Sequence, residues 1–167
     1  TRFKCDWSSD VCSSDLHQLK DIYYAEKRIL SALDDMIAKA STAELRQAFE
    51  AHRAETVTHV QRVEQVFRQH GVEPDTVKCP AIDGIIDEAD DIGSEVEDKR
   101  VLDAALIGAA QAVEHYEIAR YGTLVAWATT LGRPDCASVL QATLDEEKAA
   151  DTKLTALAET FVNVTAR

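Results

Sequence analysis

Apolar residues recur every three to four positions along four long stretches of the chain, the spacing that gathers them on one face of an α-helix. The first stretch begins at Leu16 and sets Leu19, Tyr23, Leu30, Leu33 and Ile37 on one stripe, with Lys20, Lys27, Asp34 and Asp35 off it. Ser14 or Asp15 can cap its first turn. Ser41-Thr42-Ala43-Glu44 reads as a capping box, after which Leu45, Phe49, Thr56, Val60, Val63 and Phe67 carry a second helix to His70-Gly71. A third runs from about Glu97 to Leu131-Gly132-Arg133-Pro134 and includes the longest nearly uncharged run, from Ala104. Its stripe is Leu106, Ala110, Val113, Tyr121, Leu124 and Ala128. The fourth spans Pro134 to Val162 on Cys136, Leu140, Thr143, Leu144, Leu154, Ala158 and Phe161. Between the second and third, Pro74, Pro80, Gly84 and Gly93 break the pattern, and Pro80 opens a short helix of about three turns through Ile82, Ile85, Ile86 and Ala89. The predicted fold is all-α: an antiparallel four-helix bundle with two short turns and one long crossover carrying a short extra helix.

Polar residues interrupt these stripes at matching places. Glu26, Glu117, Glu147 and Asp151 occupy apolar positions, His52 and His59 lie within the face of the second helix, and Glu55 lies at its edge. Glu26 and Glu55 are 29 residues apart, and Glu117 and Glu147 are 30 apart. Each half therefore reads as a helical hairpin offering one Glu from each arm, with His59 or Asp151 one turn further on. Four acids brought level would raise one another's pKa by several units or so, unless divalent cations neutralise them. Iron or manganese, two ions per chain, suits carboxylate oxygens joined by imidazole better than copper does, and zinc would favour more nitrogen or sulfur. Bundle carboxylate sites commonly take a Glu from each of two helices and Glu-x-x-His from the other two. Here the second helix instead has His52-x-x-Glu55 and Glu55-x-x-x-His59, and the fourth has no histidine, so the identity of the metal stays open. Glu114, about 60° from Glu117 around the third helix, is either a further ligand or an ion-pair partner. His52 is either a ligand or a hydrogen-bonded core histidine. Tyr23 and Tyr121 sit beside Glu26 and Glu117, as core packing or as donors to the acids.

Charge narrows the partners. A net charge of -12 leaves no basic face for a phosphate backbone, so no nucleic acid is expected. No run is apolar enough for a membrane span, and the first residues show no basic and then apolar leader. Asp6 to Leu16, DWSSDVCSSDL, resembles the translation of a sequencing adapter, so residues 1–15 are expected to be a non-native or disordered segment ahead of one domain, 16–167. Cys79 and Cys136 have no CxxC spacing and are expected to be buried or idle thiols.

The segments LHQLKDIYYAEKRIL, HRAETVTHVQRVEQVF, AVEHYEIARYGTL and LDEEKAADTKLTALA closely resemble the YciF-like ferritin-like family of bacterial stress proteins. The likeness covers Leu16 to about Ala158, with EHYEIARYGTL its most specific part. It implies a cytoplasmic homodimeric bundle related to rubrerythrin, associated with stress responses and an unidentified stress-protein partner. Carried over, the family's metal positions fall on Glu26, Glu55, Glu117 and Glu147, and further on His52, His59, Glu114 and Asp151. Two functions are then expected to compete: peroxide or oxygen reduction or iron oxidation at a di-metal site, and a non-catalytic helical dimer with a structural or interaction role. Whether the chain is an enzyme is left open.

Overall fold

The structure, a computed structural model, describes residues 10–166, without the side chains of 10–13 and 165. Five helices account for nearly all of it: α1 Asp10–Lys39, α2 Ala43–His70, α3 Pro80–Glu95, α4 Lys99–Thr130 and α5 Pro134–Leu157. There is no strand among the described residues. Helix α1 packs on α2 and α4, and α5 packs on the same two, which closes a four-helix ring. The predicted all-α bundle is therefore present, with α3 lying outside the ring against α1 and α4.

The two expected stops are where glycine is needed. Gly71, at φ 74°, and Gly132, at φ 67°, take the left-handed conformation that turns the chain after α2 and α4. Pro80 and Pro134 then stand in the first turns of α3 and α5, where a missing N–H costs nothing. Helix α3 has 16 residues, longer than its three expected turns. Tyr24 and Arg28 of α1 hold Asp83 at its start, and Lys39 holds Asp90 further along.

Three local expectations change. Among the described residues helix α1 already runs from Asp10, ahead of Leu16, because nothing between them breaks a helix, and Asp15 is buried within 3.4 Å of His70. The segment expected to be non-native or disordered thus lies partly outside the described residues, at 1–9, and partly in α1. The Ser41 to Glu44 capping box does not form. Asp103 of α4, fully buried, accepts instead from the backbone N–H groups of Ser41 and Thr42 at 2.7 and 3.0 Å and from the Ser41 hydroxyl at 2.9 Å. Finally, α5 passes into one wide π-helical turn over Ala158–Val162. The extra residue in that turn advances the register by about one position. Val162 is consequently buried, and Phe161, expected on the core stripe, is exposed.

The core follows the predicted stripes, with additions. Leu19, Leu45, Phe49, Phe67, Leu106, Leu124 and Leu140 are buried as expected. Ile22 and Ile29, off the α1 stripe, are buried as well, because α2, α3 and α4 together cover α1 on more than one side. No described helix is long and apolar enough to cross a membrane.

Candidate metal centre

The middle of the ring is polar. Glu26 from α1, His52 and His59 from α2, Glu114 and Glu117 from α4 and Glu147 from α5 all point inward, and none of these residues is more than 9% exposed. They form two groups. Ligand atoms of His52, Glu114, Glu117 and Glu147 lie within 4.8 Å of one another, as do those of Glu26, His59 and Glu147. Glu147 belongs to both. On α2, His52 and His59 are seven residues apart, two helical turns, so each imidazole serves one group. On α4, Glu114 and Glu117 are one turn apart and share a face.

Several of these approaches are close without being hydrogen bonds. His52 Nε2 stands 3.0 Å from Glu114 and His59 Nδ1 2.9 Å from Glu147, yet neither ring nitrogen has an aligned acceptor. Across the six residues, nine side-chain nitrogen and oxygen atoms are buried with no hydrogen-bond partner, among them both oxygens of Glu117 and of Glu147. Buried polar atoms are normally paired, and each orphan costs roughly 1–3 kcal/mol. Lone pairs aimed at a common point and left unpaired are the donor set of a cation site. Each group could hold a divalent cation, Glu147 offering an oxygen to either, with oxygen donors in excess of nitrogen.

Electrostatics shows what the acids endure alone. Burial, with repulsion from Glu147, pushes the Glu26 carboxyl up to about 8 even though His59 and the Tyr121 hydroxyl oppose the rise. Burial and then Glu147, Glu26 and Glu114 hold Glu117 well above the carboxylate range. Glu147 is raised by burial and Glu114. Burial works against a charged His52, but Glu114 and Glu55 outweigh it and leave its pKa at about 10. Tyr121, fully buried, donates to Glu26 Oε1, so of the two tyrosines flanking the acids one serves the site. The other, Tyr23, donates to Glu64 at 2.8 Å and packs edge-on against Phe67.

Glu55 and Asp151 stand apart from both groups. Glu55 is drawn to the surface between His52 Nδ1 at 3.7 Å and Lys153 at 3.5 Å. Asp151 accepts from Gln111 at 3.0 Å, with the exposed His115 at 3.5 Å. In this geometry the four acids that converge are Glu26, Glu114, Glu117 and Glu147, with Glu114 standing where Glu55 was expected. The reason is angular: Glu55 is at the rim of the α2 face, whereas Glu114 lies beneath it on α4. Arg120 pairs with Asp21 at 3.5 Å, away from the centre.

One contributor has no signal in the sequence. Glu146, adjacent to Glu147 and partly exposed, accepts from His59 Nε2 at 2.8 Å and takes both Arg62 nitrogens at 2.6 and 2.9 Å. Arg62 lowers the Glu146 pKa, so the carboxylate is an acceptor only. His59 then carries a proton on Nε2, and in the neutral ring the Nδ1 lone pair faces Glu26 and Glu147. Fixing the outer nitrogen in this way is how metal-binding imidazoles are oriented.

The family model described as "Domain of unknown function (DUF892)" matches residues 16–167. The chain belongs to the DUF892 family. Protein YciF of Escherichia coli strain K12 is 46% identical over 149 residues, 89% of this chain and 90% of that protein. The crystal structure of the E. coli stress protein YciF superposes with a TM-score of 0.88 at 44% identity, over 93% of this chain and 98% of the other. YcfI of Rhodopseudomonas palustris, named as a candidate structural protein, superposes at 0.87 with 50% identity over 92% and 98%. The DUF892 match begins at Leu16, where the adapter-like segment ends.

Proposed function

We propose that this DUF892 chain is a stress-associated ferritin-like protein that binds two iron or manganese ions and uses them on a peroxide, on oxygen or on ferrous iron. The observation that carries this reading is the shared ligand set: two groups of buried Glu and His meeting at Glu147, with nine orphaned donor atoms. A bound pair would supply Lewis acidity and two electrons at one place. The chain's own part is to hold the donors. Four helices fix the carboxylates, Glu146 and Arg62 set the imidazole of His59, and the surrounding core keeps bulk water away. The description of E. coli YciF as a stress protein supports the physiological setting, and a cytoplasmic homodimer belongs to the same reading. Glu55 and Asp151 are then peripheral acids.

A second reading has its own observation. His52 beside Glu114 and His59 beside Glu147 pair two of the acids without any ion, as a purely structural helical dimer would require. Metal analysis separates the two. Protein reconstituted anaerobically with Fe(II), or with Mn(II), is expected to retain up to two ions per chain, and Glu147→Ala to lose both. A chain that cannot be loaded, and whose melting temperature ignores both ions, would establish the structural reading instead.

A further inference from the structure

Beside the carboxylates, a pocket of about 60 Å³ opens between α1, α2, α4 and α5. Its walls are apolar, formed chiefly by Leu33, Phe49, Ala150 and Leu154. Its floor is not: His52 and Glu114 close the inner end. Both ring nitrogens of His52, a residue only 9% exposed, lack an aligned hydrogen-bond partner. At the outer end the ion pair of exposed Lys153 with half-buried Glu55, 3.5 Å apart, flanks the mouth.

These features restrict the occupant. One water needs roughly 10–15 Å³ measured in this way, so the space holds on the order of four to six non-hydrogen atoms. An anion would face Glu114 and Glu55, and any ion would lose its hydration against the apolar walls. A purely polar molecule such as hydrogen peroxide would leave those walls uncovered. A purely apolar one would leave the His52 ring nitrogens without an aligned hydrogen-bond partner. The fit is to a short uncharged molecule with an alkyl body and a single oxygen-bearing end.

We propose that this pocket binds short alkyl hydroperoxides, with the alkyl group on Leu33, Phe49 and Leu154 and the O–O end on His52. The assignment names the substrate class and rests on the di-metal reading above. It places the O–O end next to the Glu114 carboxylate. His52 is thereby a positioning residue for the ligand as well as a member of the ligand set.

The pocket can be tested without metal or turnover. Tert-butyl hydroperoxide, its redox-inert alcohol tert-butanol, and hydrogen peroxide are titrated into metal-free protein carrying ¹⁵N-labelled histidine. The expected result is a saturable shift of the His52 ring resonances with both tert-butyl compounds, none with hydrogen peroxide, and none at exposed His115. Ala51→Leu, at an exposed position on the pocket wall, is expected to weaken the response about tenfold without unfolding the chain, as is the more deeply placed Ala150→Leu. Absence of a saturable shift, an equal response to hydrogen peroxide, or a response unchanged in folded Ala51→Leu would overturn the proposal. Binding of Mn(II), and of Fe(II) added anaerobically, is measured in the same samples. Failure of both ions to bind while tert-butanol does would overturn the di-metal reading and the hydroperoxide assignment, leaving a binding pocket for short alcohols. Failure of tert-butanol with Mn(II) bound overturns the pocket alone.

Discussion

Raising the pH from 6.5 to 8 should destabilise the metal-free protein, and replacing Glu117 with Gln should remove part of that loss. Glu26 titrates near 4.5 when exposed and near 8 in the fold. Between those values the folded chain keeps a proton that the unfolded chain has released. Stability then falls with pH by about 1.4 kcal/mol per unit for each such proton. The contribution of Glu26 is complete below pH 4.5 and is lost as the pH climbs through 8, a total on the order of 5 kcal/mol. Glu117 and Glu147, also raised by burial, act in the same direction. So does His52, whose pKa of about 10 lets the fold hold a proton that the unfolded chain gives up above 6.5. The opposite sign comes from His70, lowered to about 4 by burial and then Arg133, and its effect is complete below the window. Across 1.5 pH units each proton amounts to about 2 kcal/mol. Urea denaturation of chelator-treated protein at pH 6.5, 7.2 and 8.0 reads the slope, and Glu117→Gln should make it shallower, by at most the roughly 2 kcal/mol that one proton can contribute. Saturating Mn(II) should reverse the trend, because binding requires deprotonated carboxylates and gains with pH. A flat profile, or a slope identical in Glu117→Gln, would refute the account of the buried acids.

Other substitutions probe what surrounds the centre. Glu146→Gln should weaken Mn(II) binding by about 10–100-fold in titration calorimetry, because the His59 ring loses its anionic anchor; unchanged affinity would remove Glu146 from the site. Asp103→Ala should lower unfolding free energy by about 2 kcal/mol, as the first N–H groups of α2 lose their acceptor. Asp103→Asn, which keeps an acceptor oxygen, should recover much of that, and equal losses would contradict the capping role. At the wide turn, Phe161→Ser should stay within about 0.5 kcal/mol of the parent. Val162→Ser should cost about 2 kcal/mol, and the reverse order would place the register one residue away.

The bundle was legible in the chain because helices of this length declare themselves through local periodicity and local stops. Four apolar stripes, the turns at Gly71 and Gly132, and the two prolines that start helices all depend on neighbours within a few residues. Glu26, Glu117 and Glu147 were legible for the same reason, since an acid on an apolar stripe is an anomaly a one-dimensional reading can detect. Asp103 lies in such an apolar run as well, but nothing local reveals that it caps a helix about sixty residues earlier. The wide turn after Leu157 was equally hidden, because a shift of one residue leaves the composition unchanged.

Sequence alone therefore determined the class of fold, the order of the helices and the presence of acids in the core. The tertiary structure decided which acids meet. Whether Glu55 or Glu114 enters the centre depends on the rotation of α2 against α4, and on Lys153 of α5 drawing Glu55 outward. Whether His59 offers Nδ1 depends on Glu146 and Arg62, more than eighty residues apart. Helical periodicity places a side chain on a face to within a fraction of a turn, but a ligand set is defined over a few ångströms, and only the packing of four helices brings positions to that precision.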